Sequence, residues 1–92
     1  MAEIVWTDGA QQDLKEIVEY IAHDSRAYAQ SFALRLHSTV GRLATFPKSG
    51  HAIPEDPKRG IREVIVQNYR VLYAIDGKRV VILTVIHGAR KL

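Results

Sequence analysis

Three runs of β-branched and aromatic residues between Ile61 and Ile86 constrain this chain more than anything else in it. The runs are Ile61–Val66, Tyr69–Ile75 and Arg79–Ile86, and only short polar breaks separate them. Strand-forming segments joined by two- or three-residue breaks must pair with their neighbours, so the pattern predicts an antiparallel meander. Asp76-Gly77 is the stronger turn signal, because glycine takes positive φ without cost. Gln67-Asn68 is the weaker one, with asparagine the residue that tolerates the left-handed region. The third run is apolar almost throughout, which predicts a central strand covered on both faces. The rest of the chain is read as material that covers this sheet.

Upstream, Glu3–Trp6 is a short strand candidate, and Thr7 offers a helix cap with Asp8 placed at the positive end of the helix dipole. Ala10, Leu14, Ile17, Val18 and Ile21 then repeat at the spacing of one helical face, predicting a helix over 8–23. Ser25 or Asp24 caps a second helix over 26–45, with Ala29, Phe32, Ala33, Leu36, Val40, Leu43 and Phe46 on one stripe. Helices joined this closely form an antiparallel hairpin, and its apolar stripe fits the face of a sheet. A helix-turn-helix DNA reader competes for the same hairpin, but the helices are long and the second is not notably basic. The predicted class is therefore α+β: an N-terminal strand, an antiparallel helical hairpin, and a mainly antiparallel C-terminal sheet beneath it, in one domain spanning 1–92. Between Pro47 and Gly60 lies a connection holding all three prolines and the side chains Lys48, His51, Lys58 and Arg59. It is long for so small a domain, and it reads equally as a functional loop and as a solvated linker.

Several function classes fall away. No run approaches the roughly 18 apolar residues of a membrane span, no secretory signal pattern is present, and cysteine is absent, so a reducing cytoplasmic setting is expected. The histidines at 23, 37, 51 and 87 lack metal-ligand spacing, the serines lack a nucleophile elbow, and no glycine-rich phosphate loop occurs. No metal or other cofactor is expected. The net charge of +3 points mildly towards an acidic or nucleic-acid partner. Arg70 is the informative cation. It alternates with Tyr69 and Val71 in an apolar strand and must reach a carboxylate, a phosphate or water, because burying it alone is too costly. Glu63, Glu55 or Asp76 could pair with it; alternatively Arg62, Arg70, Arg90 and Lys91 form a basic patch for an acidic partner or an RNA phosphate.

The series Trp6-Thr7, Ala10, Asp13-Leu14, Ile17, Tyr20-Ile21, Phe46-Pro47 with Gly50, Ile61-Arg62-Glu63, Tyr69 to Tyr73 and Val85 to Arg90 resembles the RelE/ParE superfamily of bacterial toxins across essentially the full chain. The resemblance implies the toxin of a type II toxin–antitoxin (plasmid stabilisation) module, restrained by a cognate antitoxin through which alone it meets operator DNA. It implies one of two activities. RelE-like members cut messenger RNA on the ribosome with cationic side chains and often a C-terminal Tyr or His; ParE-like members inhibit DNA gyrase. On the first reading Arg70 and Arg90 match the family's cations, His87 would be the base, and the three would sit together at one end of the sheet. On the second, Arg62, Tyr69, Arg70, Arg90 and Lys91 would form a target- or partner-binding surface. No tyrosine follows the last strand, the first meander strand carries Glu63 where a cation would stand, and the long hairpin with its Phe-Pro-x-x-Gly loop is ParE-like. Gyrase inhibition is therefore the preferred expectation. A structural or adaptor domain without toxicity is the third reading, and growth arrest on induction separates it from the other two.

Overall fold

Thr7 fixes where the first helix begins and what it leans on. Its Oγ1 accepts the Ala10 N–H at 3.1 Å, the bond that caps α1 (Asp8–Asp24). The same hydroxyl donates to the Ile82 carbonyl at 3.0 Å, with the Leu83 carbonyl at 3.2 Å, so the cap is also a weld to the sheet. Ser25, in extended conformation, ends α1 through its N–H to the Ile21 carbonyl and caps α2 (Arg26–Gly41) by accepting the Tyr28 N–H at 3.1 Å. One residue thus turns the chain between two antiparallel helices. The structure, a computed structural model, describes residues 1–91.

The strands are β1 (Glu3–Trp6), β2 (His51–Ala52), β3 (Ile61–Val66), β4 (Tyr69–Asp76) and β5 (Arg79–His87), in the spatial order β1-β5-β4-β3-β2. The pairs β2–β3, β3–β4 and β4–β5 are antiparallel, while β1 joins β5 in parallel. The hairpin lays Ala10, Phe32, Leu36, Val40 and then Leu43 on one face of this sheet, against Val66, Val71, Tyr73, Val80, Ile82 and Val85. That stripe is committed to the core and covers the sheet.

Four expectations need correction. The middle strand is β4, where Val71, Leu72 and Tyr73 are all fully buried. β5 lies inside the sheet between β1 and β4, but its Val81, Leu83 and Ile86 are only half-buried, because the helices cover one face alone. Helix α2 stops at Gly41 and tightens into a 3-10 turn over Arg42–Ala44. The tighter winding keeps Leu43 buried but swings Phe46, expected on the apolar stripe, out to 64% exposure. The β4–β5 turn is centred on Gly77-Lys78, since Asp76 still pairs with Arg79, and Gly77 supplies the positive φ that a first central position requires. In the β3–β4 turn Gln67, not Asn68, takes the positive φ of 55°, at a cost of about 1 kcal/mol. Register forces this, since pairing Val66 with Tyr69 leaves Gln67 at the first central position.

The connection after Pro47 is built into the fold over its first half. Its edge strand β2 was not visible in the sequence. The Tyr73 hydroxyl donates to the Pro47 carbonyl at 2.7 Å and accepts the Gly50 N–H at 2.9 Å. Gly50 is needed there, because a Cβ would sit 2.5 Å from that hydroxyl and 2.6 Å from the Glu63 carbonyl. Burial holds the Tyr73 phenol above its ordinary value of 10.0, with the Gly50 N–H and Arg62 pulling the other way. A raised folded-state pKa contributes stability that is complete below pH 10 and lost as pH climbs through the folded value, since the unfolded chain ionises first. The stability difference between the natural chain and Tyr73→Phe, measured by denaturant midpoint, should therefore shrink above pH 10. A difference constant across that range would show that the phenol is not buried as described.

Candidate functional site

Alternation along β4 sends Tyr69, Val71, Tyr73 and Ile75 to the hairpin face, and Arg70, Leu72 and Ala74 to the other. Arg70 is 5% exposed there, and its guanidinium is fully engaged. Nη1 and Nη2 grip both oxygens of Glu55 at 2.7 and 2.8 Å. Nε donates to Glu63 at 2.7 Å, and Nη2 lies 2.6 Å from the same oxygen. Nη1 also donates to the Arg90 backbone carbonyl at 2.8 Å. Of the three carboxylates named from sequence, Glu55 and Glu63 are the partners, while Asp76 pairs at the surface with Arg79 at 3.2 Å. Hydrogen bonds to Glu55 first, and then to Glu63, raise the Arg70 pKa further despite the opposing effect of burial. Two carboxylates around one guanidinium leave this cluster with a net negative charge. It ties the 53–60 loop, β3 and the C-terminal segment to the middle strand.

Arg70 and His87 do not share a cleft. Tyr69 is the Cα partner of His87, and Arg70 that of Ile86, so Arg70 and His87 leave the sheet on opposite faces. On the hairpin side, Tyr69 and His87 meet edge-on with ring centroids 5.4 Å apart, in a cleft of about 260 Å3 that also holds Asp13, Glu16, Tyr20 and Arg90. Burial raises the Tyr69 phenol, helped by the nearby phenols of Tyr20 and Tyr28. On the opposite side, Arg70, Glu55, Glu63, Arg90 and Lys91 line a second cleft of about 350 Å3. Arg90 borders both, at the turn where its N–H donates to the His87 carbonyl at 2.9 Å. Arg62 stands apart from all of these. Its Nη1 donates to the carbonyls of Gly50, at 2.8 Å, and Lys48, at 3.3 Å, so it braces the loop before β2.

His87 is exposed, and its Nδ1 accepts the Ala89 N–H at 3.1 Å. In the neutral ring this hydrogen bond puts the proton on Nε2, so the nitrogen left free of the backbone is a donor. Asp13, part of the family resemblance but not among the expected site residues, has a structural role. It accepts from Thr84 Oγ1 at 2.6 Å and from the Val85 N–H at 3.1 Å, just after the register of β5 slips against Leu72 and Tyr73. It thereby fixes the strand that carries His87. Glu55 was visible only as one of three possible partners for Arg70, because a loop carboxylate has no periodicity to mark it.

A family model described as the ParE toxin of the type II toxin–antitoxin system parDE matches residues 4–92. The toxin RelE2 of Caulobacter vibrioides is 36% identical over 91 residues, covering 98% of this chain and 99% of that protein. The toxin ParE3 of the same organism is 29% identical over 93 residues, covering 100% of this chain and 92% of its own length. Among solved structures, the chromosomal ParDE toxin–antitoxin system from P. aeruginosa has the same fold, with a TM-score of 0.78 at 21% identity over 95% of this chain and 96% of that one. The RelBE2 toxin–antitoxin complex from Mycobacterium tuberculosis superposes with a TM-score of 0.61 at 28% identity, over 94% and 96%.

Proposed function

Because this chain belongs to the ParE toxin family of type II toxin–antitoxin systems, we propose that it stops growth by binding DNA gyrase rather than by cutting messenger RNA. The observation that carries this reading is the engagement of Arg70. Cleavage of RNA through the 2′-hydroxyl needs a base to take the proton and cations to hold the charge that develops on phosphorus. The strand arginine that would supply that charge is closed off by Glu55 and Glu63. His87, the histidine named as the base on that reading, offers a protonated nitrogen in its neutral form. A toxin that acts by occupying a protein target needs neither group free. The mycobacterial relative was solved as a toxin–antitoxin complex, which supports a cognate antitoxin as this chain's restraining partner.

The second reading is the ribosome-dependent endonuclease, and it is favoured by Tyr69, His87 and Arg90 lining one cleft. Purified protein in two assays separates the readings: gyrase supercoiling, and translating ribosomes carrying a defined message. Blocked supercoiling, intact message and full inhibition by His87→Gln are expected. Cleaved message with untouched supercoiling would overturn the gyrase reading.

A further inference from the structure

Two segments reach Arg70 on the face of the sheet that the hairpin leaves bare. The first is a flap, residues 54–60, exposed throughout. Its ends are clamped where the Ile53 N–H donates to the Ile61 carbonyl at 3.1 Å, with Ile53 fully buried. Between them the flap folds on itself. Asp56 accepts the Arg59 N–H at its carbonyl, at 3.1 Å, and the Lys58 N–H at Oδ1, at 3.3 Å. The second segment is the C-terminal tail, residues 88–91, seated by the Gly88 N–H on the Asn68 carbonyl at 2.6 Å. Pro54 and Glu55 of the flap line the same cleft of about 350 Å3 as Gly88, Ala89, Arg90 and Lys91 of the tail.

One nitrogen holds both. Arg70 Nη1 donates to Glu55 of the flap at 2.7 Å and to the Arg90 carbonyl of the tail at 2.8 Å. A guanidinium is planar and its donors are fixed relative to one another, so a turn that takes Nη1 off one partner takes it off the other. Glu63 supplies the alternative pose. Its Oε2 already lies 2.7 Å from Nε and 2.6 Å from Nη2, and one carboxylate is enough to neutralise the cation. Arg70 freed from Glu55 can therefore turn towards Glu63 without stranding its charge, and in turning it lets the Arg90 carbonyl go. We propose that Arg70 is a latch that makes flap and tail open together. A partner that draws the tail from its seat releases the flap, and release of the flap loosens the tail, since coupling of this kind is reciprocal. The device follows from the contacts of one guanidinium and is independent of the target on which the protein acts.

The full chain can be read from both ends of the latch. Glu55→Gln weakens the grip on the flap and leaves the tail's own residues untouched. Amide hydrogen exchange at Gly88 and Arg90, followed by NMR, should nevertheless quicken about tenfold. Gly88→Ala works from the other end, because a Cβ there would meet the Asn68 carbonyl at 3.0 Å and lift the tail. It should speed trypsin cleavage after Lys58 and Arg59 in the flap, resolved by mass, by about tenfold, since native-state cleavage tracks opening. Leu36→Ala is the control. It lowers global stability without touching the latch, so both readings should stay within about twofold of the natural chain if flap and tail open locally. Protected amides in β4 and β5 report that each variant is folded. Tail exchange within about twofold in Glu55→Gln, or flap cleavage within about twofold in Gly88→Ala, would overturn the proposal, and either variant alone is enough. So would a response to Leu36→Ala as large as the response to the latch variants.

Discussion

Arg70→Ala is expected to destabilise the protein by about 3–5 kcal/mol, the cost typical of breaking a buried ion pair from one side. The loss is not only that of four hydrogen bonds. The side chains of Glu55 and Glu63, 18% and 14% exposed, would lose the cation they share, and the Arg90 carbonyl would lose its donor. The control is the same substitution in a chain that already carries Glu55→Gln and Glu63→Gln. There Arg70→Ala should cost less than half as much, because no charge pair is broken. Denaturant midpoints at neutral pH measure both values. An unchanged midpoint for Arg70→Ala, with toxicity lost, would make Arg70 a target-binding or catalytic residue instead. Toxicity of any Arg70 variant must accordingly be expressed per folded molecule, since a merely unfolded toxin is also inactive.

Leu36→Ala should cost roughly 2–5 kcal/mol, through the transfer energy of the deleted atoms and the cavity that remains. Leu36 is fully buried at the centre of the α2 stripe, between Phe32 and Val40, where helix and sheet leave little freedom to collapse. The midpoint should fall with the slope of the denaturation curve unchanged, which distinguishes lost packing from a changed unfolded state. A midpoint that did not move would contradict the packing of the hairpin on the sheet.

What the sequence reveals and what it hides divide along a physical line. Period and turn chemistry are local, so the meander, the Thr7 cap and the stripe from Ala29 to Val40 are legible in it. The parallel pairing of β1 is not, because a four-residue strand carries no sign of which edge it joins. Nor is the fate of Phe46, which depends on how tightly α2 unwinds after Gly41. At the site, alternation identifies Arg70 as a residue that needs a partner, and names Glu55 and Glu63 among the candidates. It cannot choose between a carboxylate and a phosphate, since both satisfy a guanidinium. Nor does it reveal that the Tyr69–His87 register puts Arg70 and His87 on opposite faces; that follows only from pairing.

The parallel seam between β1 and β5 also governs how this protein comes into being. Thr7 and Ile82, which it bonds, stand 75 positions apart, so this edge of the sheet rests on closing a long loop. Such pairings raise contact order and slow folding, and this one cannot begin until β5 has been synthesised and has left the ribosome. Until then Ile4, Val5 and Trp6 have no strand to lie against. The sheet is thus closed at this edge by the first strand of the fold, and it stays open along β5 until that strand docks.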